Sequence, residues 1–300
     1  MAAPQPKTAQ ALGILIGIDV HATGAALVAI DASGQVVDVR QLWQPAEVAS
    51  LAQACRVLKA RWSEPVLGVA VACADPAQWL DLPLLFAPAG PQLQTLGRGT
   101  ARALAEEQRG ALRGCPDCLS VTIGLTLCAG ALRGGRPLLP GGSDPELAHL
   151  PVVDGGPRCS CGQRGCLQTV ATEFAWQRRA EDAGLVAPLD AANGQDPAAL
   201  SKLGARAARG DAATLAVRAA PLEPLARGMA ILASAVGVHD LALQWPGSGA
   251  NDNLHQQLAA RIRHWWPGGR AIAAGQTGPL GSAWGAALWA QQALGDRHKS

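Results

Sequence analysis

The sequence lacks a concentrated charge of either sign. Its 300 residues include 25 Lys and Arg against 23 Asp and Glu, a formal net charge of +2, and these residues are spread along the chain. A protein that holds nucleic acid by its phosphates usually carries a basic arm, patch or stripe. The sequence has no such feature, so we expect no direct nucleic-acid partner.

Long hydrophobic runs are also missing. A polar start at 1–10 precedes an apolar run at 11–18, which stops at Asp19. This run is too short to cross a bilayer, for which about 20 apolar residues are needed, and the start does not have the pattern of a signal peptide. We therefore expect a cytoplasmic protein with no membrane partner.

The composition is that of a globular protein, with 49% hydrophobic and 16% charged residues. Apolar or alternating segments predict strands, and apolar residues at helical spacing predict helices. The predicted strands are 12–20, 25–30, 35–42, 65–73, 119–127, 131–139, 241–245 and 270–274. The predicted helices are 45–61, 100–109, 253–265 and 281–294, with a mostly helical stretch from 169 to 238. Three strands, a helix and a further strand, broadly repeated, predict a two-lobed α/β fold.

Three of the eight cysteines lie close together in the sequence. Cys159, Cys161 and Cys166 fall within eight residues, with glycines between them, and His149 lies ten positions upstream of the first. A cytoplasmic chain argues against disulfides, which leaves metal ligation or burial. Three thiolates and one imidazole form the closed tetrahedral set of a structural zinc site. The spacing therefore predicts one zinc ion, with buried free thiols as the alternative.

The other five cysteines have different interpretations. Cys115 and Cys118 have the spacing of a redox pair, but they precede a predicted strand rather than a helix N-terminus that would stabilise a thiolate. Cys55, Cys73 and Cys128 lie in apolar runs. We expect these three in the core, and we do not expect the pair to be redox-active.

The cysteine cluster carries a resemblance to a known family. The sequence reads Glu-Leu-Ala-His at 146–149 and Cys-Ser-Cys-Gly-Gln-Arg-Gly-Cys-Leu-Gln at 159–168. It resembles the ROK family of bacterial repressors and sugar kinases, whose signature is Glu-x-Gly-His followed by Cys-x-Cys-Gly-x-x-Gly-Cys-x-Glu. The segments 17–31, 207–217 and 284–287 also look like family motifs, so the resemblance extends over nearly the whole chain.

The resemblance implies the actin-like ATPase (ribonuclease H-like) fold, with two α/β lobes around an interlobe cleft. We expect an N-terminal lobe at 11–98 plus 281–295, and a C-terminal lobe at 99–280 with a zinc loop at 140–168. Family kinases bind ATP, magnesium and a hexose, whereas family repressors carry an additional N-terminal helix-turn-helix. Few residues precede the first strand here, so we expect no such DNA-binding domain. The family also implies a homodimer.

The phosphate loops depart from the family pattern. The first loop is normally Asp-x-Gly-Gly-Thr-Lys, and here Asp19 and Thr23 persist while both glycines are replaced. In the second loop, which begins at Gly124, bulky leucines stand between the glycines, so we expect an ordinary buried strand. Gly247 and Gly249 are a remnant of the adenosine-side motif. The resemblance implies these five residues as nucleotide contacts, but the missing glycines argue against ATP and magnesium binding, because a Cβ obstructs phosphate approach.

The general base of the family kinases is also missing. Aligning the chain on the helix segment 101–106 puts Gly97 and Arg98 where the family has Asn-Asp. A guanidinium does not accept a proton near neutral pH, and loss of a positioned base typically costs about 10²–10⁴ in rate. No aspartate occurs between Asp81 and Asp117, so no shift of the alignment restores the base. The resemblance also places the Arg98 charge in the sugar pocket.

The residues expected to contact a sugar match the family pattern more closely than the phosphate loops do. By resemblance, Glu146 and His149 match residues that bond sugar hydroxyls, and His149 also serves the zinc. Gln168 replaces the third sugar-binding residue, a glutamate, and its amide still bonds hydroxyls without adding charge. The alternative interpretation of Glu146 is a loop carboxylate near the zinc that contacts no sugar. The alternative for Gln168 is that it contacts no ligand.

These observations favour a non-catalytic ROK-like protein that binds a sugar or a partner, has a structural zinc site and acts in regulation. The first alternative is an ATP-dependent hexose kinase with divergent phosphate loops. The second is a transcription regulator that acts through a separate DNA-binding partner.

Overall fold

The computed structural model describes residues 13–21, 24–43, 48–73, 93–187, 197–245 and 253–297. The strands in these ranges are β1 Ile14–His21, β2 Gly24–Ile30, β3 Val36–Leu42, β4 Val66–Ala72, β5 Leu93–Leu96, β6 Cys118–Ile123, β7 Leu127–Arg133, β8 Arg136–Pro137, β9 Asp240–Gln244 and β10 Ala271–Ala274. The helices are α1 Val48–Lys59, α2 Arg98–Arg109, α3 Leu167–Ala171, α4 Glu173–Asp182, α5 Pro197–Ala208, α6 Ala212–Ala219, α7 Leu222–Val236, α8 Leu254–Trp265 and α9 Gly281–Arg297.

The contacts divide the chain into two compact units. The first contains the residues up to Ala105 together with those from Leu280 onward, and the second runs from Glu106 to Pro279. Each unit is built on a five-stranded mixed sheet, with the order β3-β2-β1-β4-β5 in the first and β10-β9-β6-β7-β8 in the second. The predicted α/β architecture is therefore confirmed.

The first sheet is buried on both faces at its centre. β1 and β2 pair antiparallel, with Asp19 opposite Ala26, and β1 pairs with β4 in parallel. One face, which includes Ile16 and Ile18, packs against Leu51 of α1. The helix α9 packs on the same strands from the C-terminal end of the chain. Because both faces are covered, β1 and β2 are almost continuously apolar, as the sequence predicted for 12–20 and 25–30.

The contact between α9 and α2 depends on a glycine. A Cβ placed on Gly285 would lie 1.6 Å from the Ala101 carbonyl oxygen. The two helix backbones therefore approach more closely than any side chain at this position would permit. This crossing anchors α9 to the first half of α2.

The second unit holds a buried carboxylate at the end of α2. The Glu106 side chain is fully buried and accepts hydrogen bonds from the backbone N–H groups of Ala111, Gln276 and Thr277 and from the Thr277 hydroxyl. A buried carboxylate is stable only when its oxygens are bonded in this way. Glu106 thus fixes the loop that follows β10 against the end of α2.

The cysteines outside the cluster follow the prediction in part. Cys55 and Cys73 are buried in the first unit, as expected, whereas Cys128 is only half-buried. The pKa of Cys115 is raised, first by burial and then by Asp240, and burial raises that of Cys118 still further. Both thiols therefore hold little thiolate at neutral pH, which agrees with the prediction that they are not a redox pair.

Among the helices that the structure describes, none is both long and apolar enough to cross a membrane.

Candidate metal centre and ligand site

Four predicted metal ligands converge in the second unit. The donor atoms of His149, Cys159, Cys161 and Cys166 all lie within 4.8 Å of one another. His149 Nδ1 is 3.3 Å from Cys159 Sγ, and the Sγ atoms of Cys161 and Cys166 are 3.7 Å apart. A zinc tetrahedron with Zn–S bonds of about 2.3 Å has sulfur–sulfur edges of about 3.8 Å. The observed spacing fits a metal ion, and these four residues would hold it.

The loop around the cluster is held by backbone bonds. The Cys159 N–H donates to the Gln163 carbonyl at 2.8 Å, which closes a tight turn around the thiols. Gly165 has φ of +69°, and a Cβ there would lie 1.8 Å from the Val153 carbonyl oxygen. A glycine is therefore required immediately before Cys166. This geometry explains why a glycine stands directly before the ligand Cys166 in the sequence.

The thiols differ in their electrostatic surroundings. The pKa of Cys159 is lowered to about 6, first because its sulfur accepts the backbone N–H of Cys161 and then because Cys161, His149 and Cys166 bond to it. The pKa of Cys166 is raised to about 12, because this side chain is buried and faces two other thiols. The clustered thiols cannot all carry a negative charge side by side without a counter-ion. A divalent cation would supply that counter-charge, since a coordinated thiol is deprotonated.

The residues expected to bind a sugar lie beside this loop. The Gln168 N–H donates to the Ala148 carbonyl at 2.8 Å, which places Gln168 next to the segment that carries His149. Its side-chain oxygen accepts the Leu127 N–H at 3.3 Å. Glu146 is exposed and has no hydrogen-bond or ionic partner within the part of the chain that the structure describes. The amide of Gln168 therefore has a structural role at the start of β7, whereas the Glu146 carboxylate remains available.

The Arg98 side chain is bound to Asp19 in the first unit. Arg98 Nε lies 2.5 Å from Asp19 Oδ1, and Arg98 Nη2 lies 3.0 Å from Asp19 Oδ2. Asp19 is 2% exposed and the Arg98 side chain is 25% exposed. Both oxygens of the carboxylate are thus held in a bidentate ion pair. The sequence predicted an added positive charge at position 98, and in the structure this charge is paired with Asp19.

His21 at the end of β1 lies near the same pair. Burial lowers its pKa, and the Arg98 charge adds to this effect while Asp19 opposes it. The imidazole is therefore held mainly neutral at physiological pH.

The second phosphate-loop segment is a hairpin rather than a continuous strand, and here the prediction was wrong. β6 ends at Ile123, a turn follows at 124–126, and β7 begins at Leu127, so the pairing brings Ile123 opposite Leu127. The Gly124 N–H donates to the Thr126 carbonyl, and the Gly124 carbonyl accepts the Glu173 N–H. Apolar alternation continues through the turn, so periodicity did not reveal it.

Glu173 is a residue that the sequence reasoning missed. It begins α4, its backbone contacts Gly124, and burial raises the pKa of its carboxyl to about 7. Its only sequence signal is an acidic residue directly after the N-cap Thr172, which is common at any helix start.

Three of the predicted nucleotide contacts, Thr23, Gly247 and Gly249, lie outside the described residues.

Comparison with solved structures defines the class of protein. A ROK hexokinase from Thermus thermophilus superimposes with a TM-score of 0.77 at 22% identity, over 94% of this chain and 99% of that one. A ROK family transcriptional regulator, a homolog of the E. coli MLC protein, gives 0.77 at 18% identity, over 96% and 80%. This chain therefore has the two-lobed actin-like ATPase fold that the resemblance implied.

The family follows from the sequence itself. The sequence profile of the ROK family matches residues 99–293. The chain belongs to the ROK family.

Individual curated relatives match over shorter stretches. The kanosamine kinase of Amycolatopsis mediterranei is 44% identical over 85 residues, which is 27% of this chain and 26% of that protein. The match thus spans about a quarter of that relative's length.

Proposed function

We propose that this ROK protein binds a sugar or a protein partner, has a structural zinc ion and does not transfer phosphate. The observation that carries the proposal is the bidentate ion pair of Asp19 with Arg98. By resemblance, Asp19 belongs to the first phosphate loop, where a kinase needs a carboxylate beside magnesium and ATP. A carboxylate whose two oxygens each accept a guanidinium N–H keeps fewer lone pairs for a cation, and the adjacent positive charge repels one.

The second phosphate-loop segment supports the same proposal. The Gly124 N–H already donates to the Thr126 carbonyl within the turn. A phosphate cradle needs unpaired backbone N–H groups. Gly124 offers none, which supports the view that this segment does not bind phosphate.

The metal loop supports ligand binding in the second unit. Zinc held by His149 and the three cysteines of the cluster would fix the loop that carries Glu146, which precedes His149 by three residues. A carboxylate that accepts two hydroxyl hydrogen bonds is a common sugar contact. The kinases and repressors among its relatives make a hexose or an amino sugar the ligand class to test first.

One experiment separates this proposal from an active kinase. The chain is mixed with magnesium and ATP, and its melting temperature and its hexose phosphorylation in a coupled assay are measured beside the Thermus thermophilus hexokinase. We expect neither a melting shift nor turnover, because a nucleotide that does not bind the folded state does not stabilise it. Turnover at the rate of the control enzyme would overturn the proposal.

A second experiment tests the ligand. Hexoses and amino sugars are screened by thermal shift against the parent chain and Glu146→Gln, which keeps the size of the side chain and removes its charge. A shift with one sugar that the variant loses would support a sugar site at Glu146. No shift with any sugar would leave a protein partner as the ligand, and an equal shift in both chains would place the sugar elsewhere.

The metal is tested directly. Elemental analysis of purified chain should find about one zinc per chain, and Cys166→Ser should lose it, because three ligands hold zinc far less tightly than a closed set of four. Cys55→Ser removes a buried thiol away from the cluster and should keep its zinc. Absence of zinc from the parent chain, with all thiols reactive, would contradict the site.

A further inference from the structure

Cys161 differs from the other cysteines in its access to solvent. All the cysteines of the chain lie in the described ranges, and Cys161 is the one that is exposed. Its neighbours in the metal loop, Cys159 and Cys166, are both buried. Oxidation of a cysteine depends on its thiolate character and on its exposure to the reagent. The metal loop therefore presents one sulfur atom to a dissolved oxidant.

A second sulfur lies close enough to Cys161 to complete a disulfide. The Sγ atoms of Cys161 and Cys166 are 3.7 Å apart. An S–S bond is about 2.05 Å long, so these two atoms need to approach each other by about 1.7 Å. Cys159 is separated from Cys161 by a single residue, and a disulfide between those two would close a smaller and more strained ring. Cys166 is therefore the favoured partner of Cys161.

The two sides of this pair differ in their freedom to move. Residues 160–164 are all exposed, and a Cβ placed on Gly162 would meet nothing within 4 Å. Cys166 is fully buried, and its carbonyl accepts both the N–H and the hydroxyl of Thr169 in α3. The exposed turn therefore has room to bring Cys161 to Cys166, which the start of α3 holds in place.

We propose that Cys161 is an oxidation site, at which hydrogen peroxide joins Cys161 to Cys166 and thereby expels the zinc ion. The Cys161 thiolate attacks one oxygen of the peroxide, the O–O bond breaks, and a sulfenic acid forms as hydroxide leaves. The Cys166 thiolate then attacks the Cys161 sulfur, the S–S bond forms, the S–O bond breaks and a second hydroxide leaves. The two sulfurs together lose two electrons, and the peroxide takes up two protons and becomes two water molecules.

The disulfide removes two of the four metal ligands. His149 and Cys159 remain, whereas a structural zinc site is a closed set of four, and a disulfide sulfur has lost the negative charge of the thiolate. The remaining pair holds zinc far more weakly, so the ion leaves. The segment that carries Glu146 and His149 then loses its metal link to the cysteines. This inference rests on the structural zinc ion of the proposed function and adds a condition under which that ion is released.

The test uses the full chain, loaded with zinc and treated with hydrogen peroxide. Released zinc is followed with a metal-binding dye, and the cysteine pairing is mapped by mass spectrometry of peptides that have not been reduced. We expect about one zinc ion to be released for each Cys161–Cys166 disulfide formed. A thiol reductant with added zinc should restore the loaded chain, because disulfide formation is reversible.

Cys161→His provides the most direct comparison. Histidine supplies a fourth zinc ligand that does not form a disulfide, so this variant should bind zinc and release it at least about tenfold more slowly than the parent. If the histidine does not fit the loop, Cys161→Asp supplies an oxygen ligand and makes the same comparison. Cys115→Ser removes a half-buried thiol outside the metal loop, and as the matched control it should release zinc at the parent rate.

The outcomes distinguish this inference from the proposed function. A parent chain without zinc would contradict the structural zinc ion and this inference with it. Zinc that stays bound while free cysteine in the same solution is oxidised would overturn the inference and leave the zinc site standing. Release at the parent rate from a Cys161 variant that binds zinc would do the same. A disulfide between Cys159 and Cys161 would reject Cys166 as the partner.

Discussion

The ion pair between Asp19 and Arg98 makes the sharpest prediction for stability. Arg98→Met keeps much of the aliphatic stem and removes the guanidinium, which leaves a carboxylate that is 2% exposed without its two hydrogen bonds. Removal of one partner from a buried pair costs about 3–5 kcal/mol. Because the Arg98 side chain is itself 25% exposed, water reaches part of the site, and we expect the lower end, about 3 kcal/mol.

The measurement is denaturant unfolding, with the melting temperature as a second readout. A loss of about 3 kcal/mol corresponds to a drop of roughly 6–12 °C at this chain length. Arg61→Met is the matched control, because its pair with Asp38 is at the surface and the Arg61 side chain is 53% exposed. That variant should lose less than about 1 kcal/mol.

A double-mutant cycle shows whether the loss comes from the pair. Asp19→Asn combined with Arg98→Met removes both charges, so the double variant should be more stable than the sum of the single changes by at least about 1.5 kcal/mol. The reasoning would be refuted if Arg98→Met behaved like Arg61→Met, or if the two single changes were additive. Either result would mean that Asp19 does not depend on Arg98 and remains available to a cation.

The remaining predictions concern burial and packing. Burial raises the pKa of Glu173 from about 4.5 to about 7, so the folded state loses stability as pH rises through this interval; unfolding of Glu173→Gln between pH 5 and 8 should show a flatter pH profile. Gly285→Ala should destabilise the chain strongly in thermal melting, because its methyl group would meet the α2 backbone, whereas Gly295→Ala in the same helix has open space and should be neutral or slightly stabilising. Cys115 and Cys118 should react slowly with a thiol reagent at pH 7, and a rate equal to that of a free thiol would show that their raised pKa values are wrong.

Local pattern carried much of the prediction. The apolar runs of the first two strands, the apolar spacing of α1 and the cluster of Cys159, Cys161 and Cys166 are properties of neighbouring residues, and neighbouring residues decide strand burial, helix faces and loop ligands. His149 was found by the same reasoning, since the loop that separates it from Cys159 is short. The family resemblance rested on these residues, and the match to the ROK profile agrees with it.

Only the tertiary structure decided which distant groups meet. Asp19 and Arg98 are separated by 79 positions, and they pair because β1 and the start of α2 come together in the first unit. The hairpin turn at 124–126 was hidden because its apolar pattern runs on from β6 into β7, so only strand pairing reveals it. The sequence by itself predicted most of the elements and the ligand set of the metal loop, and it places an arginine at position 98, where the resemblance implies a general base. Packing decided that the charge at this position is neutralised by Asp19, because the partner of a buried charge is set by long-range geometry and not by spacing along the chain.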